Sequence, residues 1–313
     1  MELYRFDRLS NDNLYNLVYL YKDCFNLSID LEFLRKKYDT ISFGSEYIGF
    51  LAFEKSTSEL AGYYGVFPML GKIKNQKILI AQSGDTMTHP KHQGKGLFTN
   101  LAKITYELAE KEGIDFVFGF PNKNSYPGFK KKLEWQFYSD INTYVIKTGS
   151  LPFDKLFKKL NFFESLYYRF VANKLKKLID EDQFSNSLEK QNPEHGSIVH
   201  DEDFFKYKKF YKSFTIRFDN ISCIIKVDGR LWIGDIEFCT KDQFLQTIEQ
   251  IKSLAKKIGC SSVHFSATDG TFYDKTLKEK FEVASKSPIG YLSTKGKADP
   301  SIFAYQAIDF DTY

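Results

Sequence analysis

The sequence predicts an α/β protein in which a mixed sheet is flanked by helices, followed by a second, degenerate copy of the same unit. Three observations predict it. Strand and helix periodicities alternate over residues 2–147, a two-glycine turn joins a strand to an amphipathic helix, and part of this pattern recurs downstream. At 313 residues the chain exceeds the roughly 250 that one hydrophobic core serves, so two compact domains are expected.

Residues 2–8 alternate as a short strand. Ser10 can cap a helix over about 11–25, and Ser28 or Asp30 a second through Lys37. Residues 46–54 and 59–68 read as strands joined by a polar turn, with 71–77 separating the second from a third strand at 78–88. Beyond the turn at 89–96, Leu97, Phe98, Leu101, Ile104, Leu108 and Ala109 recur at helical spacing until Gly113 can end the helix. A buried-type strand at 114–120, a short helix at 125–133 and a strand at 136–147 complete the first half.

Residues 151–181 form an aromatic, lysine-rich helical stretch. Leu156–Leu178 reads either as a helix packed on protein or as one lying on a membrane surface. The polar run 182–197 has a boundary's composition, giving an expected division into 1–150, a helical linker at 151–197, and 198–313. The second half echoes the first: Leu254-Ala-Lys-Lys-Ile-Gly259 matches Leu108-Ala-Glu-Lys-Glu-Gly113, and the same register aligns Phe244 with Phe98, Val263 with Val117 and Phe272 with Tyr126.

A hydrophobic content of 42% excludes disorder, and a net charge of +4 without a dense Lys/Arg stripe argues against a long nucleic-acid groove. The four cysteines, Cys24, Cys223, Cys239 and Cys260, form no C-x-x-C pair, and no run approaches the ~20 apolar residues of a membrane span. The start lacks the apolar run of a signal peptide, so a cytoplasmic protein with reduced thiols is expected.

The segment Thr86-Met-Thr-His-Pro-Lys-His-Gln-Gly-Lys-Gly-Leu-Phe98 carries the chemistry. Gly94 and Gly96 let the backbone turn its N–H groups inward, and the first N–H groups and dipole of the following helix favour an anion such as a pyrophosphate. Lys95 adds charge. A tight turn without ligand uses the same glycines.

In its strand, two-helix, three-strand, glycine-turn, helix, strand, helix, strand order, the segment 2–147 resembles the GNAT superfamily of acyl-CoA-dependent N-acyltransferases. Thr88-His-Pro90 followed by Gln93-Gly-Lys-Gly96 stands where that family has its cofactor turn. The resemblance implies acetyl-CoA or another short acyl-CoA as cosubstrate and no metal. It places the strand end Thr86, Met87 and Thr88 on the pantetheine arm, and Gln93, Gly94, Lys95, Gly96, Leu97 and Phe98 around the pyrophosphate. Asn122, Asn124 and Phe129 would sit beside the pantetheine, although Asn122 also suits the start of a helix.

Two positions depart from the family. Phe129 stands where a tyrosine often protonates the leaving thiolate, and Gln82 where a glutamate often acts as base. Tyr126 is the candidate acid in their stead, with Asp85, if a bulge turns it toward the acceptor, and His89 as candidate bases. A strand-end hydrogen bond for Asp85 and a solvated loop for His89 are equally open.

Under the repeat's register Gly94 and Gly96 correspond to Thr240 and Asp242, so the second copy is expected to shape the acceptor site, not to bind cofactor. Two-domain proteins of this pattern resemble bacterial enzymes that acylate nucleotide-linked amino sugars for surface polysaccharide. That implies a small-molecule amine acceptor, with a homodimer allowed. The alternative is a catalytically inactive acyl-CoA-binding module.

Overall fold

The computed structural model describes residues 3–74, 76–151, 153, 156, 161–180, 187–192, 194–294 and 298–313, with main chain alone at 161–164, 187 and 189. Of the expected linker at 151–197, residues 152, 154, 155, 157–160, 181–186 and 193 lie outside these. The described chain divides into two compact units: Met1–Ser139 with Pro288–Ile302, and Asp140–Ser287 with Phe303–Tyr313. The division therefore falls inside the strand at 136–147 instead of at 150, and a stretch of the second half returns to the first unit.

In the first unit, β1 (Tyr4–Arg8), β2 (Ile48–Glu54), β3 (Leu60–Ile73) and β4 (Gln76–Thr88) form an antiparallel meander. β5 (Phe116–Gly119) joins parallel to β4 and is flanked by residues 290–293 of β12 (Val283–Ser293). β3 and β4 run further than the alternation suggested. Gly71, expected in a separating loop, pairs with Ile78, and Ile73 with Gln76, because Leu70, Leu79 and Ile80 continue the strand pattern through it.

Helices α1 (Asn16–Phe25) and α2 (Leu31–Tyr38) cover one face of this sheet. α1 starts five residues later than Ser10 suggested: the Asn13 side chain accepts from Ser10 N at 2.8 Å and donates to Arg8 O at 2.9 Å, tying residues 11–15 into turns. Asp30 caps α2 as expected by accepting from Glu32 N. Leu17, Leu20, Tyr21, Leu34 and Tyr38 bury against Leu51, Tyr63, Phe67 and Met87. α3 (Leu97–Lys111) and α4 (Tyr126–Lys132) bury Leu97, Leu101, Tyr106 and Phe129 on the other face, against Tyr64, Val66, Ala81 and Val117. Strand alternation sends Tyr63 and Tyr64 to opposite faces, so both layers are anchored by aromatic residues.

The second unit comprises helices α5 (Asn161–Leu175), α6 (Ser187–Gln191), α7 (Glu202–Lys208), α8 (Lys241–Lys257) and α9 (Phe272–Lys278), the two-residue strand β7 (Ser197–Ile198), and a sheet. In that sheet β8 (Phe214–Phe218), β9 (Ile221–Val227) and β10 (Leu231–Ile236) are antiparallel, β10 pairs parallel with β11 (Ser262–Thr268), and β11 pairs with residues 141–147 of β6 (Gln136–Lys147). α5 sends Val171 and Leu175 into this core and leaves Leu166 and Phe170 exposed. No helix among the described residues is long and apolar enough to cross a membrane. None of the four cysteines forms a disulfide among the described residues.

Asp274 organises the second unit's interior. Fully buried, it accepts from Asn142 Nδ2 at 2.8 Å, the Tyr144 hydroxyl at 2.6 Å and Gly270 N at 2.8 Å, and pairs with Lys278 at 2.9 Å. Burial, and then this carboxylate, push the Tyr144 phenol well above its ordinary range. Because its removal strands several buried donors, Asp274→Ala is expected to destabilise the protein by about 3–5 kcal/mol in urea unfolding, against about 1 kcal/mol for Tyr144→Phe.

Candidate active site

The ladder between β4 and β5 stops early. Only Ala81 with Val117 and Gln82 with Phe118 are paired, because β5 is four residues long and runs into Pro121, which has no N–H to give. From Ser83 onward the strands diverge around a cavity of about 370 Å³. Ser83 and Thr86 line it from β4, and Gly119, Phe120, Pro121 and Asn122 from the β5 side. Phe25, Phe98, Asn124, Ser125, Gly128, Phe129 and Trp135 complete it. None of these side chains ionises near neutrality.

Strand alternation alone would send Ser83 and Thr86 to opposite faces. An extra residue in β4 brings them together: Gly65 pairs with Gly84 and Tyr63 with Met87, so Asp85 and Thr86 share the single partner Tyr64. Asp85 takes a φ of 50° at this bulge. The expected bulge is therefore present, and it aims Asp85 at α2. One carboxylate oxygen pairs with Lys37 Nζ at 2.7 Å and the other accepts from the Tyr38 hydroxyl at 2.9 Å. Both partners of the ion pair are nearly buried, their side chains 4% and 7% exposed. Gln82 is buried too, and its Oε1 has no hydrogen-bond partner among the described residues.

The glycine turn follows. Gly94 and Gly96 have φ of 76° and 79°. A Cβ on Gly94 would meet nothing within 4 Å, and one on Gly96 only Asn100 Nδ2 at 4.0 Å, so backbone conformation, not crowding, demands glycine at both. Space in front of the turn is open. The first bond into α3 runs from Asn100 N to Gly96 O at 3.1 Å, which leaves the N–H groups of Leu97, Phe98 and Thr99 at the helix end, where the dipole is positive. The amides of Gly94, Lys95 and Gly96 precede them, while Gln93 N donates to Pro90 O at 3.4 Å; a helix end of this kind favours an anion.

Asn122 does two things. Its Oδ1 accepts from Asn124 N at 2.9 Å and Ser125 N at 3.0 Å, setting up α4, and the residue also lines the cavity. Gly128 permits the close approach of α4 to α3, since a Cβ there would lie 3.0 Å from the Phe98 ring. Phe98 and Phe129 meet edge to face, with centroids 5.2 Å apart.

Three expected residues are not brought into the cavity. Asp85 faces α2. His89 sits at the turn, with Nδ1 accepting from Lys91 N at 3.3 Å and Nε2 3.8 Å from Asp23. Tyr126 packs on Phe137 at 4.5 Å, its hydroxyl accepting from Lys130 Nζ at 3.3 Å. Met87 and Thr88 use one strand edge to pair with Tyr63 and Gly62, and the Met87 side chain is buried under α1 and α2.

Sequence reasoning missed the polar system behind the cavity wall. Ser83 Oγ lies 2.7 Å from the Tyr64 hydroxyl, which lies 2.7 Å from that of Tyr106, and Trp135 Nε1 donates to Tyr106 at 3.1 Å. Burial pushes both phenols well above their ordinary range, so they stay protonated. Their spacing along the chain gives no sign of this; only the β3–β4 register brings Tyr64 beside Ser83.

Residues 6–138 match the family described as an acetyltransferase (GNAT) domain. This part of the chain is similar to GNAT acetyltransferase domains. The fold agrees. A GCN5-related N-acetyltransferase from Kribbella flavida superimposes with a TM-score of 0.57 at 9% identity, covering 93% of this chain and 72% of that one. A GCN5-related N-acetyltransferase from Anabaena variabilis gives 0.57 at 13%, covering 93% and 73%. The N-myristoyltransferase of Saccharomyces cerevisiae, solved with bound myristoyl-CoA and inhibitors, gives 0.60 at 10%, covering 96% and 84%. No curated protein matches the sequence. Domain match and fold together support an acyl-CoA-dependent N-acyltransferase.

The second unit repeats the GNAT geometry and fills its cleft. β10 and β11 pair in parallel only from Leu231 with Val263 to Ile233 with Phe265, and β10 then carries its own register shift between Ile233 and Asp235. Here the C-terminal segment enters the gap. Ala267 bridges Gln306, Thr268 N donates to Tyr305 O at 3.1 Å, and the Tyr313 ring lies where a Cβ on Gly234 would be, 2.6 Å from its Cζ. At the position of the glycine turn, Thr240 and Gln243 form a capping box that consumes N–H groups at the start of α8. In this unit the gap between β10 and β11 is occupied by residues 303–313.

Gly128→Val is expected to push the Phe98 ring into the cavity and weaken acetyl-CoA binding at least tenfold, while leaving the unfolding midpoint within a few degrees of wild type. Calorimetric titration and thermal melting check the two halves of this expectation.

Proposed function

We propose that this chain moves an acetyl or other short acyl group from acyl-CoA to a primary amine, and that the acceptor is a nucleotide-linked amino sugar of the kind used in surface polysaccharide, acylated in the cytoplasm. The observation that carries the transfer reading is the uncharged cleft where β4 and β5 part, opening beside an anion-binding helix end. An unpaired strand edge offers amide groups to the pantetheine arm, and Asn122 and Asn124 add polar contacts from the far side.

Within such a cleft catalysis rests on placement. An amine held at about 3–3.5 Å from a thioester carbonyl reacts readily once oriented, with a strand N–H polarising the carbonyl. The amine nitrogen bonds to the carbonyl carbon and the carbon–sulfur bond breaks. The thiolate then takes the proton of Ser83 Oγ, an oxygen positioned by the Tyr64 hydroxyl. The amine's surplus proton passes through water back to Ser83 Oγ, so that the hydroxyls end as they began. The acceptor assignment is supported by the net charge of +4, which suits an anionic sugar nucleotide, and by the resemblance of Asn122-Lys-Asn-Ser-Tyr-Pro-Gly-Phe129 to sugar-nucleotide acylating enzymes.

Calorimetry with acetyl-CoA is expected to show binding to wild type and none to Gly96→Asp, which sets a carboxylate in the pyrophosphate's place. Free-thiol release on adding a nucleotide-linked amino sugar is then expected. Release with other amines but not with this one would overturn the acceptor assignment, and release with none would mark the cleft as a binding site alone. Ser83→Ala is expected to lower kcat roughly 10–100-fold with KM for acetyl-CoA within a factor of three. An unchanged kcat would remove Ser83 from the proton path.

A further inference from the structure

We propose that Glu59, His89 and His92 form a binding site for a divalent transition-metal ion, Zn²⁺ being the best chemical fit. One ligand atom from each of the three lies within 4.8 Å of the other two. This inference is independent of the acyl-transfer reading and concerns residues far apart in the chain: Glu59 precedes β3, whereas His89 and His92 follow β4. The hairpin pairing of Gly62 with Thr88 and the bond from His89 N to Ala61 O at 2.9 Å bring them together.

A second observation points to a ligand. The His92 side chain is 3% exposed, yet its Nε2 has no hydrogen-bond partner among the described residues. Its other nitrogen, Nδ1, lies 3.1 Å from the Tyr4 hydroxyl. With Nδ1–H donating to that oxygen, the lone pair resides on Nε2, aimed at Glu59 Oε2 at 3.8 Å, too far for a hydrogen bond. An imidazole whose outer nitrogen is tied to a polar partner, and whose inner one faces a carboxylate without bonding it, is arranged like a metal ligand.

The surrounding charges permit a cation. Glu59 is held low in pKa chiefly by its bond to Lys91, whose Nζ lies 3.1 Å from Oε1; that lysine is 73% exposed and can turn to solvent when a metal takes its place. Asp23 adds negative charge 3.8 Å from His89 Nε2. Two imidazoles and one carboxylate with a fourth position open to water are a donor set that Zn²⁺ accepts. Bonds of about 2.0–2.2 Å require donor atoms roughly 3.3–3.5 Å apart, so the exposed Glu59 and the loop-borne His89 must close on His92. The ion would then fasten the ends of β3 and β4 to the turn that leads into Gly94 and Gly96.

Equilibrium dialysis of chelator-treated full-length protein against Zn²⁺ tests this. One bound equivalent is expected for wild type, with affinity reduced at least tenfold in both Glu59→Gln and His92→Asn. Wild type alone is expected to gain several degrees in Tm on adding Zn²⁺. Should His92→Asn fail to fold, Glu59→Gln at the protein surface decides by itself. No bound equivalent in wild type, or undiminished binding in the folded variants, overturns the site.

Discussion

The site depends on where one parallel ladder ends. Two residue pairs hold β4 to β5, and beyond them Pro121 removes a donor and turns the chain away. A longer ladder would satisfy the backbone groups of both strands and leave no cleft. The early stop leaves an edge of β4 unpaired inside the fold, a feature that proteins ordinarily cover. Here the uncovered edge borders the cavity.

The bulge at Asp85 is coupled to that splay. Inserting one residue opposite Tyr64 rotates the end of β4, so that Ser83 and Thr86 share the cavity while Asp85 swings to α2. A residue other than glycine at positive φ is strained, by about 1–3 kcal/mol, and persists where its surroundings over-determine it. The buried contacts to Lys37 and Tyr38 supply that constraint. The ion pair thus belongs to the framework of the cleft, whose lining is free of ionisable groups. An uncharged, pre-shaped cleft places reactants instead of exchanging protons with them, and the hydroxyl chain through Ser83, Tyr64 and Tyr106 is the polar path that reaches its wall.

The second unit shows the same plan used differently. α3 and α8 end at Lys111 and Lys257, β5 and β11 begin at Phe116 and Ser262, and α4 and α9 run over 126–132 and 272–278; each pair is separated by 146 residues. Even the Gly-Asp of the bulge recurs, as Gly84–Asp85 and Gly234–Asp235. Where the first unit leaves its splayed strands open, the second inserts Phe303–Tyr313 between them. One geometry stays open in the first unit and receives residues 303–313 in the second.

The sequence by itself determined what depends on neighbours in the chain. The helix at Leu97, the left-handed glycines before it, the strand at 136–147 and the 146-residue repeat were legible, because hydrophobic period, capping and the need for positive φ are local. Asn13 displaced the start of α1, and the β3–β4 hairpin outran its expected ends, since side-chain turns and strand pairing compete with local preference. Tertiary structure alone decided that Asp85 faces Lys37, that Tyr126 leaves the cavity, that Ser83 meets Tyr64, that Glu59 stands beside His92 and that the C-terminal segment fills the second cleft. Each of these joins residues distant in sequence through strand register, and a shift of one residue there reverses which face a side chain occupies.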